Sequence, residues 1–156
     1  MFRGLAVAML ALALLIAGCG GPSDAEAERN AYVAAIEQAR ATLSESIAKV
    51  GDDAPPTATP RSDAEALALA ERAAAEAREA VVAAKPPAEA AAAHRRLVGG
   101  LRGYERALSR ARRLSIKSDA AAAGDIRAAL DETIAKRSLE VDRAIAAIDR
   151  ALANPG

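Results

Sequence analysis

Few residues in this chain are equipped for chemistry. It holds one cysteine, Cys19, one histidine, His94, two tyrosines, Tyr32 and Tyr104, and no tryptophan. The Cys19 thiol follows an apolar run ending Ile16-Ala17-Gly18 and precedes two glycines. A single cysteine forms neither an internal disulfide nor a multi-thiolate metal site, which leaves its thiol to react with a group from outside the chain. His94 would need partners to serve as a general base or a ligand. Glu89 and Glu105 are the nearest acids in sequence, and no second histidine or cysteine is spaced with it. A boundary histidine hydrogen-bonded to a carboxylate or a carbonyl is the simpler reading. No HExxH, GxSxG, phosphate loop or aspartate-rich calcium loop occurs. The residues therefore predict no enzyme, no catalytic residue, no cofactor and no metal.

Charge is the second chemical feature. The chain balances 21 basic against 21 acidic residues, but they are segregated. Residues 94–117 carry eight Arg or Lys and one acid, Glu105, whereas residues 24–89 carry seven basic and thirteen acidic groups. At about 100° per helical residue, Arg95, Arg102, Arg106, Arg110, Arg113 and Lys117 fall in a sector of roughly 80°. That sector lies opposite Leu97, Leu101, Tyr104 and Leu108. Such a stripe suits anionic lipid, a wall polymer or an acidic envelope partner. The alternative is a solvated face partly neutralised by carboxylates of adjacent helices. Overall neutrality argues against nucleic acid.

The first residues explain the cysteine. Arg3 supplies a positive charge, and Leu5 to Ala17 is almost wholly apolar. That run is shorter than the roughly 20 helical residues a bilayer span takes. A positive start, a short apolar run and small residues before a cut describe a secretory signal peptide. Ile16-Ala17-Gly18-Cys19 resembles the lipobox of bacterial lipoproteins. The resemblance implies a diacylglyceryl group on the Cys19 thiol, cleavage between Gly18 and Cys19, and acylation of the new N-terminus with palmitate-type chains. Two or more acyl chains hold a protein stably on a bilayer, where one does so only marginally. The expected organisation is a signal peptide over 1–18, a lipidated tether over 19–23 and a helical domain over 24–153. The expected location is the extracytoplasmic face of a bacterial cell membrane.

The elements that must position the charged stripe are helices. Aromatics make up 2% of the chain, and Ala, Leu, Arg and Glu, all helix formers, dominate. Tyr32, Ile36, Ala39, Leu43, Ile47 and Val50 recur at spacings of three and four, predicting a helix over 24–50. Ser23 and Glu26 fit a capping box at its start. Gly51 through Pro60, with three prolines, breaks the pattern. A second capping box, Ser62 and Glu65, opens a helix over 63–84 whose stripe (Leu67, Ala70, Ala74, Ala77, Val81, Ala84) is mostly alanine. Pro87 starts a third helix reaching Lys117, with Leu97, Leu101, Tyr104 and Leu108 inward and His94 at the edge of that face. Tyr32 and Tyr104 read as core residues with hydroxyls at the bundle edge, or as two walls of a pocket. Gly99 and Gly103 admit a close neighbouring backbone or a local kink. Residues 118–124 are a loop or extend either flanking helix. Ile126, Leu130, Ile134, Ser138, Val141, Ile145, Ile148 and Leu152 mark a fourth helix over 125–153. Together they predict an all-α, antiparallel up-down bundle of about four helices. The alternative is a three-helix core with the first helix loosely docked.

The stretch PPAEAAAAHRRLVGGLRGYERAL, residues 86–108, resembles a pattern in bacterial lipoproteins and secreted helical proteins. These carry Pro-Pro, then His, then Leu-Val and Tyr on one helix face. The resemblance implies a helical bundle and brings no reaction or ligand with it. The function expected from all this is a lipid-anchored, non-enzymatic structural, binding or adaptor module, contacting anionic lipid or an acidic envelope partner through its third helix. The alternative is an extracytoplasmic receptor-type module that takes an apolar or amphiphilic ligand inside the bundle.

Overall fold

A computed structural model of the chain describes residues 23–53 and 59–154. Among them are four α-helices and no strand: α1 (Asp24–Asp53), α2 (Pro60–Ala83), α3 (Ala91–Lys117) and α4 (Ala120–Ala153), with a 3-10 turn at Ala88–Ala90 before α3. Ion pairs fix the directions. Arg78 Nε reaches Glu105 Oε2 at 2.9 Å and Arg112 Nε reaches Glu71 Oε2 at 2.8 Å. A step forward on α2 is thus a step back on α3, and the two run antiparallel. Gly100 faces Val141 and Gly103 faces Arg137, so α3 and α4 run antiparallel as well. Arg29 to Glu89 at 2.7 Å brings the start of α1 to the start of α3, and Arg40 to Asp142 at 3.9 Å joins α1 to α4. The fold is the up-down four-helix bundle that three-four spacing predicts.

The local chemistry sets the helix ends. At α1 the Ser23–Glu26 box forms: the Ser23 N–H donates to Glu26 Oε2 at 2.9 Å, and the Glu26 N–H donates to Ser23 Oγ at 3.3 Å. The Ser23 N–H bond, and after it the Ser23 hydroxyl donating to Glu26 Oε2 at 3.1 Å, hold the Glu26 carboxyl below its ordinary pKa. At α2 the expected box is displaced. Thr59 is the cap, its hydroxyl accepting from the Ser62 N–H, and Pro60 occupies the first turn. Proline lacks only an N–H that would be unpaired there anyway, so the helix starts three residues earlier than Asp63. At α3 Pro87 opens the 3-10 turn rather than the α-helix itself. At α4 Asp119 accepts from the Ala122 N–H at 3.0 Å, which draws the alanine run at 120–123 into the helix. α1 also runs three residues beyond Val50, through Gly51 to Asp53.

All four helices share one core. The alternative of a loosely docked first helix does not hold, because Tyr32, Ile36, Ala39 and Leu43 are buried in it. On α2, Ala70, Ala74 and Ala77 are buried. The bulk of the shared core comes instead from larger side chains such as Tyr104, Leu97, Leu108 and Ile148. Each fully buried aliphatic side chain contributes about 1.5–3 kcal/mol. α3 passes its three glycines without a break. A Cβ on Gly100 would lie 3.3 Å from Val141 Cγ2 and 3.8 Å from the Val141 backbone nitrogen, whereas one on Gly99 would meet nothing within 4 Å. Gly100, not Gly99, therefore marks the close backbone approach, and Gly103 makes room for the Arg137 guanidinium.

The apolar stripe of α4 divides in two. Val141, Ile145 and Ile148 are buried, while Ile126, Leu130, Ile134, Ser138 and Leu152 are half-buried. The first half of α4 borders an open groove against α3 instead of a covering helix. Among the described residues, no helix is long and apolar enough to cross a membrane.

Candidate functional site

The outer face of α3 carries Arg95, Arg102, Arg106, Arg110, Arg113 and Lys117, and all six are exposed. Among the described residues, none of the six lies within 4 Å of a carboxylate. What bonds they make stay on their own helix: Arg106 Nε donates to the Arg102 carbonyl at 3.3 Å, and Arg113 Nη1 donates to Ser109 Oγ at 2.8 Å. Arg112, turned toward α2, pairs with Glu71, and Arg78 of α2 reaches Glu105 of α3. Neutralisation by neighbouring helices thus occurs on the inner flank of α3 and stops at its outer face. The stripe from Arg95 to Lys117 is about 33 Å long at 1.5 Å per residue, which is most of the bundle's length. Near its end, Leu114 is 47% exposed and Ile116 63% exposed.

Beside the stripe lies the α3–α4 groove, of about 580 Å³. Ala111 and Leu114 of α3 and Ile126 and Leu130 of α4 give it an apolar floor. Arg106, Arg110 and Arg137 also line it. Arg137 Nη1 donates to Glu140 Oε2 at 2.7 Å, while its buried Nε has no hydrogen-bond partner among the described residues. Asp125 lines the groove too, near the Leu114 end that antiparallel packing places beside it. The groove was not legible in the sequence as a site. Its apolar residues look like ordinary core positions, but Ile126 and Leu130 stay half-buried and Leu114 is exposed.

His94 belongs to a different environment. It is buried, and its Nδ1 lies 3.2 Å from the Tyr32 hydroxyl, with the rings tilted at 44° and centroids 5.8 Å apart. The expected carboxylate or carbonyl partner is instead a tyrosine of α1, which sits too far away in sequence to be inferred from spacing. Burial, then the neighbouring Arg95 charge, lowers the His94 pKa from 6.5. Burial raises Tyr32 to about 12 and also raises Tyr104, an effect Ser138 partly offsets. Both tyrosines are buried with their hydroxyls inside the bundle rather than at its edge. Among the described residues, Tyr32 lines an open pocket of about 620 Å³ between the start of α1 and residues 84–89, and Tyr104 is not among its lining residues; the cleft lined by Ile36, Leu97, Leu101 and Ile145 holds only about 10 Å³. Among the described residues, no three of His, Cys, Asp and Glu are grouped to hold a metal ion.

Gly18 and Cys19, the expected cleavage and lipidation residues, lie outside the described residues. Comparison of the chain with protein-family models, curated proteins and solved structures gives no match.

Proposed function

We propose that this chain is a lipid-anchored bacterial envelope protein that works without catalysis, with α3 laid against an anionic surface. The observation that carries the reading is the row of six exposed cations with no carboxylate within 4 Å among the described residues. The lipobox-like Ile16-Ala17-Gly18-Cys19 adds the anchor. It would sit just ahead of α1, whose first residue is Asp24, so the body stays at the membrane. A stripe running the length of the bundle meets a flat surface only if the bundle lies on its side. In that pose Leu114 and Ile116 reach the headgroup layer, where amphipathic helices place their apolar side chains. The surface is anionic lipid in the first instance. An acidic envelope protein would use the same face. His94 fits a structural role, since it is buried and already partnered by Tyr32.

The test is flotation of the chain from Gly20 onward with vesicles of anionic or neutral lipid, across a range of salt. Each surface Lys or Arg contributes about 1 kcal/mol near an anionic membrane. Reversing Arg95, Arg102, Arg113 and Lys117 to Glu should therefore weaken anionic-vesicle binding at least a hundredfold, roughly. Wild-type binding should fall with added salt. Equal binding to neutral vesicles, or no loss in the reversed variant, contradicts the reading.

A further inference from the structure

We infer that the α3–α4 groove binds one long-chain fatty acid, its tail on the apolar floor and its carboxylate at the arginine end. The inference rests on the reading above to the extent that a membrane-apposed α3 is where such a ligand is met. Four observations point to this ligand. The groove volume of about 580 Å³ falls in the range of small-molecule sites. Its floor is aliphatic and contains no aromatic ring, which favours a flexible alkyl chain over a planar ligand. From Gly103 to Leu114 it runs about 16 Å along α3, the reach of a long acyl tail.

Its charge is polarised along that axis. Arg106 and Arg137 lie toward the Gly103 end, Arg110 lies midway, and Asp125 lies at the Leu114 end. Arg106 and Arg110 have no carboxylate partner among the described residues; Arg137 gives one N–H to Glu140 and keeps a buried Nε–H that donates to nothing there, so the positive charge toward the Gly103 end comes chiefly from Arg106 and Arg110. An anionic head is attracted at the first end and repelled at the other, so the ligand has one orientation. A carboxylate suits the planar guanidinium fork, which it can engage through two parallel hydrogen bonds. An uncharged alcohol of equal length would leave those donors unpaired.

The experiment uses the full chain reconstituted in neutral phosphatidylcholine vesicles, with a diazirine-bearing fatty acid crosslinked by light and the adducts located by mass spectrometry. Adducts should fall on 107–114 and 126–130 and should be competed by laurate but not by dodecanol. Ala129→Trp, at an exposed position lining the groove, should cut crosslinking about tenfold or more. Arg106→Gln should reduce it while circular dichroism stays unchanged. Arg95→Glu/Arg113→Glu/Lys117→Glu, which alters residues outside the groove, should crosslink as wild type does even though its anionic-vesicle binding is lost. Conversely, Ala129→Trp should still bind anionic vesicles. Adducts scattered over the bundle, equal competition by dodecanol, or crosslinking unaffected by Ala129→Trp would overturn the inference and leave the vesicle-binding reading standing.

Discussion

His94 is where a single side chain reports on the fold. Because burial and Arg95 lower its folded pKa below 6.5, the unfolded chain takes up its proton first. Stability is therefore full above about pH 6.5 and falls as pH drops toward the folded value. Thermal melts between pH 7 and pH 5.5 should show a declining midpoint in the wild type and a flatter profile in His94→Gln. A steeper decline in the variant would show that another group titrates there. The glycines of α3 give a second residue-scale contrast. Gly99→Ala adds a methyl into open space and should stabilise the helix by about 0.5–1 kcal/mol. Gly100→Ala presses on Val141, which is buried and stiff at χ1, and should forfeit that gain. Equal stabilisation in chemical denaturation would mean that α4 does not sit where the Gly100–Val141 contact puts it.

At the scale of elements, α2 and α4 are linked where the first turn of α2 meets the second turn of α4. Asp63 is 5% exposed, and its Oδ2 accepts from Arg127 Nε and Nη2, both at 2.8 Å. Asp63→Ala removes a buried carboxylate that accepts two charged N–H donors and should cost about 1.5–3 kcal/mol. Asp119→Ala removes only the cap of α4 and should cost about 1 kcal/mol. A urea denaturation series separates the two, and similar losses would show that the ion pair is not structural. These elements also mark what the sequence discloses. The inward face of α3 can be read from three-four spacing, and the observed burial follows it from His94 through Leu97, Leu101, Tyr104, Leu108 and Ala111 to Ser115, with Ala93 buried in addition. The stripe of α4 can be read equally well, yet only Val141, Ile145 and Ile148 are buried. Periodicity says which residues share a face; it does not say whether a neighbour covers that face. For the same reason the six cations are visible as a stripe, while the absence of carboxylate partners among the described residues and the groove beside them are not. Pairings such as Tyr32–His94 and Asp63–Arg127 depend on helix order and register, which local pattern does not encode. The start of α2 went astray because Ser62 and Glu65 mimic a box that Thr59 and Pro60 pre-empt.

At the scale of the molecule, neutrality conceals polarity. Acidic residues predominate over 24–89, and α3 carries the excess of positive charge. α3 packs against α2 and α4 with its cationic face outward, so the bundle has a positive side. An anionic surface would orient that side toward itself before contact, and salt would weaken the effect. Cys19 is the sole cysteine, so once its thiol is acylated a spin label can be placed at any single introduced thiol. The deciding measurement is the accessibility of labels at Ile116→Cys and Leu69→Cys to a water-soluble relaxation agent, with the full chain in anionic vesicles. Both positions are exposed in the bundle, Ile116 on α3 and Leu69 on the α1–α2 side. Shielding at Ile116 with Leu69 still open to water is what a bundle lying on its basic face produces. Equal accessibility at the two positions would contradict it.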